Sequence, residues 1–285
     1  MDLVLRPGRT EDQQECGRIC FEAFSGIAAA YNYPSDMPSE AFATELMGHS
    51  LTHPGVYSVV AELDGRIVGS SFLDERSSVA GIGPVSVDPA LQNSGVGRRL
   101  MQDVMARAAD RGAAGVRLVQ NAYHCRSFAL YAGLGFEFRE SLLCLQGPPV
   151  GRTFPGYDVR EATKEDLAAC DDLCRRVHGM DRGAELAEAV EGGTARVVEH
   201  AGRITGYATG LSFTAHAVAE SSEGIKALIG SADGFEGPGI LVPASDSALV
   251  QWCLAEGLRI REIMSQMTTG LYNRPAGAWL SSILF

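Results

Sequence analysis

The sequence predicts a mixed α/β fold, α+β in style around a mixed sheet, laid down twice in tandem with the second copy degenerate. Three observations carry this reading. Short apolar runs alternate with amphipathic stretches along the chain, the mark of strands interleaved with helices. A spacing of charged residues and cysteines recurs at about half the length. A glycine-turn hairpin follows each copy of that spacing, in the same order.

The first echo sets Arg6, Asp12, Cys16 and Cys20 against Arg160, Asp166, Cys170 and Cys174. Each set reads as a short strand followed by a capped amphipathic helix, with Thr10 and Thr163 placed to satisfy orphan N–H groups of the first turn. The second echo sets Val59-Val60-Ala61-Glu62 and Gly65-Arg66-Ile67-Val68-Gly69 against Val197-Val198-Glu199 and Gly202-Arg203-Ile204-Thr205-Gly206. Each is two apolar strands joined by a tight turn. Gly147, Pro148, Pro149, Gly151, Pro155 and Gly156 concentrate chain breakers between the copies. The expected domains are therefore 1–147 and 156–285.

In the first copy the patterning predicts strands near 3–6, 57–62, 66–75, 80–87, 116–121 and 136–145. Helices are expected near 10–24, 39–49, 95–111 and 126–134. In the second copy the stretch 219–232 reads as a helix with no glycine turn opening it.

Composition narrows the function. The chain has 285 residues, 46% of them hydrophobic, enough for a substantial core. Its net charge of −11 argues against nucleic acid or an anionic membrane as the main partner. No apolar run is long enough to span a bilayer. The start, Met1-Asp2-Leu3-Val4-Leu5-Arg6, reads as a strand and not as a secretion signal. The seven cysteines form no CxxC pair and the six histidines never cluster at ligand spacing. Reduced buried thiols, no metal and a cytoplasmic location are therefore expected.

The chemistry concentrates between Val85 and Leu100. An apolar strand, Val85-Ser86-Val87, ends at Asp88-Pro89. Gln92-Asn93-Ser94-Gly95-Val96-Gly97-Arg98 follows and opens a helix with apolar residues at 96, 100, 104 and 108. The first N–H groups of a helix lack internal partners and point outward, where the helix dipole adds positive charge. Gly95 and Gly97 let an anion approach the backbone, and Arg98 and Arg99 add donors. The turn is neither G-x-G-x-x-G nor G-x-x-x-x-G-K-[ST], so the dinucleotide and P-loop readings lack support. A pyrophosphate remains the natural guest.

The turn does read Q-x-x-G-x-G, and Leu130-Tyr131-Ala132-Gly133-Leu134-Gly135-Phe136 reads L-Y-x-x-x-G-F. Together these resemble the acetyl-CoA signature of the GNAT acetyltransferases. Where members often carry Asn seven residues before the Tyr, this chain has His124, and Ser127 is expected to share that role. Gly69–Arg76, Gly270–Asn273, Pro275 and Ser281–Phe285 resemble a bacterial tandem group whose second domain is a worn GNAT repeat of the YitH kind.

The resemblance implies a cofactor site formed by Val85, Ser86, Val87, Gln92, Asn93, Ser94, Gly95, Val96, Gly97, Arg98 and Ser127, holding acetyl-CoA as cosubstrate. It implies direct transfer of an acetyl or short acyl group to a primary amine, with Tyr131 as the acid at the departing thiolate. Glu75, closing the third strand with Asp74, is the candidate base. His178, His216 and Tyr272 read as structural. The acceptor is expected to be a small-molecule or peptide amine, and oligomeric state stays open, a homodimer included. A CoA-binding sensor without turnover and a pure protein-binding module remain alternatives.

Overall fold

The computed structural model describes residues 3–284. Met1, Asp2 and Phe285, which belong to the terminal motifs above, lie outside the described residues. The chain divides into two compact units. The first runs up to Leu118 and adds Tyr123–Phe136; the second takes Val119–Ala122 and everything from Glu137.

The first unit orders its elements as β1 (Leu3–Pro7), α1 (Gln13–Ala30), α2 (Glu40–Thr52), β2 (Val56–Leu63), β3 (Arg66–Asp74), β4 (Val79–Val87), α3 (Val96–Asp110), β5 (Gly115–Asn121, of which Val119 onward falls to the second unit) and α4 (Cys125–Ala132). Neighbouring strands run β1-β2-β3-β4-β5. All pairs are antiparallel except β4–β5, which is parallel. Cys16, Ile19 and Cys20 fall on one face of α1 at helical spacing. Cys16 and Cys20 pack with Met47, Val60 and Phe72 in a core that excludes water. The helix continues to Ala30, beyond the expected Phe24, because Ala28-Ala29-Ala30 favour helix and the chain turns only at Asn32, with φ of 58°.

The second unit holds β6 (Glu137–Gln146), β7 (Tyr157–Glu161), α5 (Leu167–His178), α6 (Gly183–Glu191), β8 (Arg196–His200), β9 (Arg203–Ala208), β10 (Ala217–Ala219), α7 (Ser222–Gly230), β11 (Ile240–Pro243), α8 (Ser247–Ala255), β12 (Arg259–Gly270) and β13 (Ala278–Leu280). One set of strands runs β13-β10-β9-β8-β7. In the other, β6 lies between β12 and β11, antiparallel to both.

The repeat seen in the sequence is the same physical device built twice. The Arg6 guanidinium grips Asp12 with two bonds, of 2.7 and 2.8 Å, and reaches Glu62 on β2 at 2.7 Å. Arg160 grips Asp166 at 2.7 and 2.8 Å and reaches Glu199 on β8 at 2.8 Å. Each arginine ties its own strand, β1 or β7, to the antiparallel neighbour, β2 or β8, and to the following helix entry. In the second copy Asp166 caps Thr163 N–H at 2.8 Å. In the first, Asp12 caps Arg9 N–H at 2.8 Å, so Thr10 is the first residue of a 3-10 turn and not the cap. The Arg160 guanidinium holds the Asp166 carboxyl down at about 2, and Arg6 lowers Asp12 likewise. The hairpins turn at Asp64-Gly65 and Ala201-Gly202. All four residues have positive φ, as the tight turn between twisted strands requires.

No helix among the described residues is long and apolar enough to cross a membrane. No cluster of His, Cys, Asp and Glu among them could hold a metal ion.

The division of the chain falls at Phe136, ahead of the breaker-rich stretch 147–156. The reason is β6: it pairs with β12 from Gln146 back to Glu137, and its Leu142–Leu145 segment pairs on the other edge with β11. Leu142, Cys144 and Leu145 are wholly buried there. A chain ending at residue 147 would leave both edges of β6 and these side chains without cover. It is expected to aggregate or to melt without a cooperative transition. Gel filtration and circular dichroism of that fragment against the whole chain check this.

Candidate functional site

β4 pairs with β5 only at Val79–Gly115, Ala80–Val116 and Gly81–Arg117. Beyond Gly81 the two strands part, while β4 stays paired with β3 as far as Val87. The Asp88 N–H donates to Val68 O at 2.9 Å, so Asp88 faces β3. Strand groups alternate with period two. Ser86 therefore also faces β3, and the N–H and C=O of Val85 and Val87 point the other way, into the gap. Gln92 fits this geometry, since its amide donates to Val87 O at 3.4 Å. Ser86 is buried, with its Oγ 3.2 Å from Ser70 Oγ.

The turn after β4 delivers the chain to α3. Asp88 accepts from Ala90 N–H at 2.9 Å, and the Ser94 hydroxyl donates to Leu91 O at 2.5 Å. Gly95 is the N-cap residue of α3 with φ of 93°, a conformation that suits glycine. No side chain caps this helix end, and its first turn holds no acidic residue. The N–H groups of Val96, Gly97 and Arg98 therefore lack both internal partners and a cap. A methyl group built on Gly95 meets nothing within 4 Å, and one on Gly97 comes no closer than 3.6 Å to Leu130 and Val87.

The same contact places α4 against the first turn of α3. Tyr131 follows Leu130 and is 8% exposed. Burial pushes its phenol up to about 12, so it stays protonated across the neutral range. Ser127 spends its hydroxyl on His124 O at 2.9 Å. The His124 Nε2 is buried without a hydrogen-bond partner, and burial, followed by the Arg126 charge, drops this imidazole to about 4. It is neutral at pH 7.

Val85, Val87, Gln92–Arg98, Ser127 and Tyr131 thus lie on β4, the turn, α3 and α4 of the first unit, whereas Ser86, expected among the cofactor contacts, turns its backbone to β3 and its hydroxyl to Ser70. Glu75 does not join them. It lies just past the β3 end opposite Gly81, where β4 and β5 are still paired, six β4 residues or about 20 Å from Val87. Its carboxylate is gripped by Arg107 at 2.7 and 3.1 Å, with Arg111 at 3.9 Å. Charge at a strand end reads alike in a sequence whether it serves chemistry or an ion pair. Arg99, read as a second phosphate donor, turns instead to Leu3 O at 2.8 Å.

Sequence reasoning missed Arg126. Its guanidinium donates to Gln92 Oε1 at 2.5 Å and to Asn93 Oδ1 at 3.5 Å, holding the turn from the α4 side. The signal was present: a cation in the first turn of a helix opposes the dipole. Arg98 in α3 repeats the anomaly. A shared anion would reverse the sign of both terms.

The equivalent helix of the second unit differs at each of these points. α7 is capped by Ser221, whose hydroxyl accepts from Gly224 N–H, and carries Glu223 in its first turn. Ser222 donates to Asp246 at 2.7 Å.

An aspartate at Gly97 would clear its neighbours at the Cβ yet aim negative charge at the uncapped N–H groups. Gly97→Asp is expected to weaken the binding of a phosphate-bearing ligand at this turn, with coenzyme A as the probe, at least ~10-fold and to leave the melting transition within ~2 °C of wild type. Titration calorimetry and thermal melts check both.

Residues 22–136 match the acetyltransferase (GNAT) family. No curated protein matches the chain. Among solved structures, a candidate acetyltransferase from Pyrococcus horikoshii is similar at 16% identity and a TM-score of 0.73, over 97% of this chain and 94% of that one. A tandem GNAT protein from the clavulanic acid biosynthesis pathway is similar at 15% identity and a TM-score of 0.58, over 94% of this chain and 98% of that one. At such identities these likenesses speak for the fold, and they extend through both units. The family match is thus confined to residues 22–136, while the likeness of fold to solved acetyltransferase structures runs through the whole chain.

Proposed function

We propose that the protein transfers an acetyl group from acetyl-CoA to a primary amine in a ternary complex. The observation that carries this is the convergence of two sets of unsatisfied backbone groups. One is the uncapped N-terminus of α3, and the other is the open β4 edge at Val85 and Val87. The residues fit the cosubstrate. The first turn of α3 with Arg98 would take the pyrophosphate, and the β4 edge would take the pantetheine arm as an added strand. The buried Nε2 of His124 offers a further polar contact.

Acetyl-CoA supplies the acyl group as a thioester that a neutral amine can attack. The Val85 or Val87 N–H, fixed in the strand, would receive the charge that develops on the carbonyl oxygen. Tyr131 would donate to the departing sulfur. A free thiol has a pKa near 8.5, well below that of this phenol. Burial raises the thiolate too, and the phenol acts first as a hydrogen-bond donor that stabilises it. Glu75 is held by Arg107, so proton removal from the amine falls to water or to the acceptor itself. Holding both reactants in one gap removes the need for a covalent enzyme intermediate.

The second unit is, on this reading, a degenerate GNAT copy that supports the fold and binds no acetyl-CoA. Ser221 and Glu223 occupy the groups an anion would need. Calorimetry is expected to give one acetyl-CoA per chain; a stoichiometry of two would overturn this part.

Tyr131→Phe is expected to keep acetyl-CoA affinity and to lower kcat by ~100-fold to ~10,000-fold where chemistry limits the rate. The donor must be protonated, and its pKa is pushed up to about 12. The wild-type rate should therefore rise as the amine deprotonates and show no falling limb up to about pH 10. A loss of rate between pH 8 and 10 that Tyr131→Phe abolishes would contradict the raised phenol.

A further inference from the structure

Three tyrosines gather at the open end of the β4–β5 gap. Tyr123 lies between the end of β5 and the α4 N-cap, His124. Tyr33 stacks on it, with ring centroids 4.3 Å apart and planes within 16°. Tyr31 leans on the same ring at 5.5 Å. Tyr31 keeps 47% of its surface exposed, a large aromatic face that core packing does not use.

Arg98 and Arg126 stand at the turn before α3 and at the start of α4. The segment that carries Tyr31 and Tyr33 is the opposite. From Ile19 to Gly65 the sequence has no Lys or Arg; of its acids, Glu22 and Glu62 are spent on Arg18 and Arg6. Asp36 sits on the tyrosine loop itself. Electron-rich ring faces in a segment without cations attract a cation.

A single amine serves such a surface poorly. The nitrogen that attacks must be neutral, and the nitrogen that a tyrosine face and acids recognise must be charged. An acceptor with two amines meets both needs at once. We infer that the acceptor is an aliphatic amine bearing a second positive charge, held on Tyr31 and Tyr33 while the other nitrogen enters the gap. This rests on the acetyl-transfer reading above and names its substrate class. The balanced step is ordinary: the C–N bond forms, the C–S bond breaks, the amine loses one proton and the thiolate gains one.

The test uses the whole chain with acetyl-CoA and thiol release as readout. It compares linear α,ω-diamines with monoamines of the same length. The diamine is expected to exceed its matched monoamine at least ~10-fold in kcat/KM. Tyr31→Leu and Tyr33→Leu should raise the diamine KM about two- to thirtyfold, leave the monoamine unchanged and leave acetyl-CoA affinity unchanged. Tyr31 is exposed, so its variant will fold even if the Tyr33 variant does not. Equal use of monoamine and diamine overturns the inference while leaving acetyl transfer intact. Unmoved diamine KM in the Tyr31 variant also overturns it, as does acetyl-CoA binding without turnover of any diamine. Failure of the wild-type chain to bind acetyl-CoA overturns both readings.

Discussion

The parting of β4 from β5 after Gly81 is the constraint on which the rest of the candidate site depends. A strand in the middle of a sheet normally spends its backbone groups on two neighbours, and buried groups left unpaired cost about as much as a lost hydrogen bond. Here Val85 and Val87 have a neighbour on one side only. The turn that follows does not repair the deficit; it brings a second one beside it. Gly95 begins α3 without a side-chain cap, where Ser, Asp or Thr would stabilise the helix by about 1 kcal/mol. Two local sacrifices facing the same space make sense together, because one extended anionic ligand would satisfy both.

The arginines sharpen this point. Arg98 and Arg126 lie in the first turns of their helices, where the dipole disfavours a cation by a few tenths of a kcal/mol each. In the structure Arg126 rests on Gln92 and Asn93, and Gln92 rests on Val87 O. A single chain of hydrogen bonds thus runs from the α4 entry through the turn to the open strand edge. It fixes the turn before any ligand arrives, which lowers the ordering cost of binding.

The duplicated chain separates what a fold needs from what a site needs. Both copies keep the Arg–Asp–Glu clamp, the cap and the left-handed hairpin turn, with distances matching to about a tenth of an ångström. Those features hold strands to helices and are indifferent to ligand. The helix ends differ. α7 gains a serine cap, an acidic first turn and burial of most of its residues, from Gly224 to Gly230. The cap and the acidic turn stabilise the helix end, and the cap engages an N–H that an anion would use.

What was legible in the sequence follows from locality. The turn 92–98, the helix it opens and the Leu130–Phe136 run are contiguous, and their physics is set by neighbours along the chain. The repeat was legible because Arg6 and Asp12 interact across six residues, as do Arg160 and Asp166. Three things were hidden because their partners are remote. Glu75 looks available until Arg107, 32 residues on, is placed against it. β6 looks like the closing strand of the first half until β12, more than a hundred residues later, pairs along its length. Tyr123 and Tyr33 stack across a separation that no periodicity marks. Remote pairing also explains why the tyrosine cluster was harder to read than the turn before α3. A phosphate site is made by one turn and one helix end, so a short motif encodes it. A cluster of rings drawn from different loops, each free to vary, shows only once the fold has brought them together.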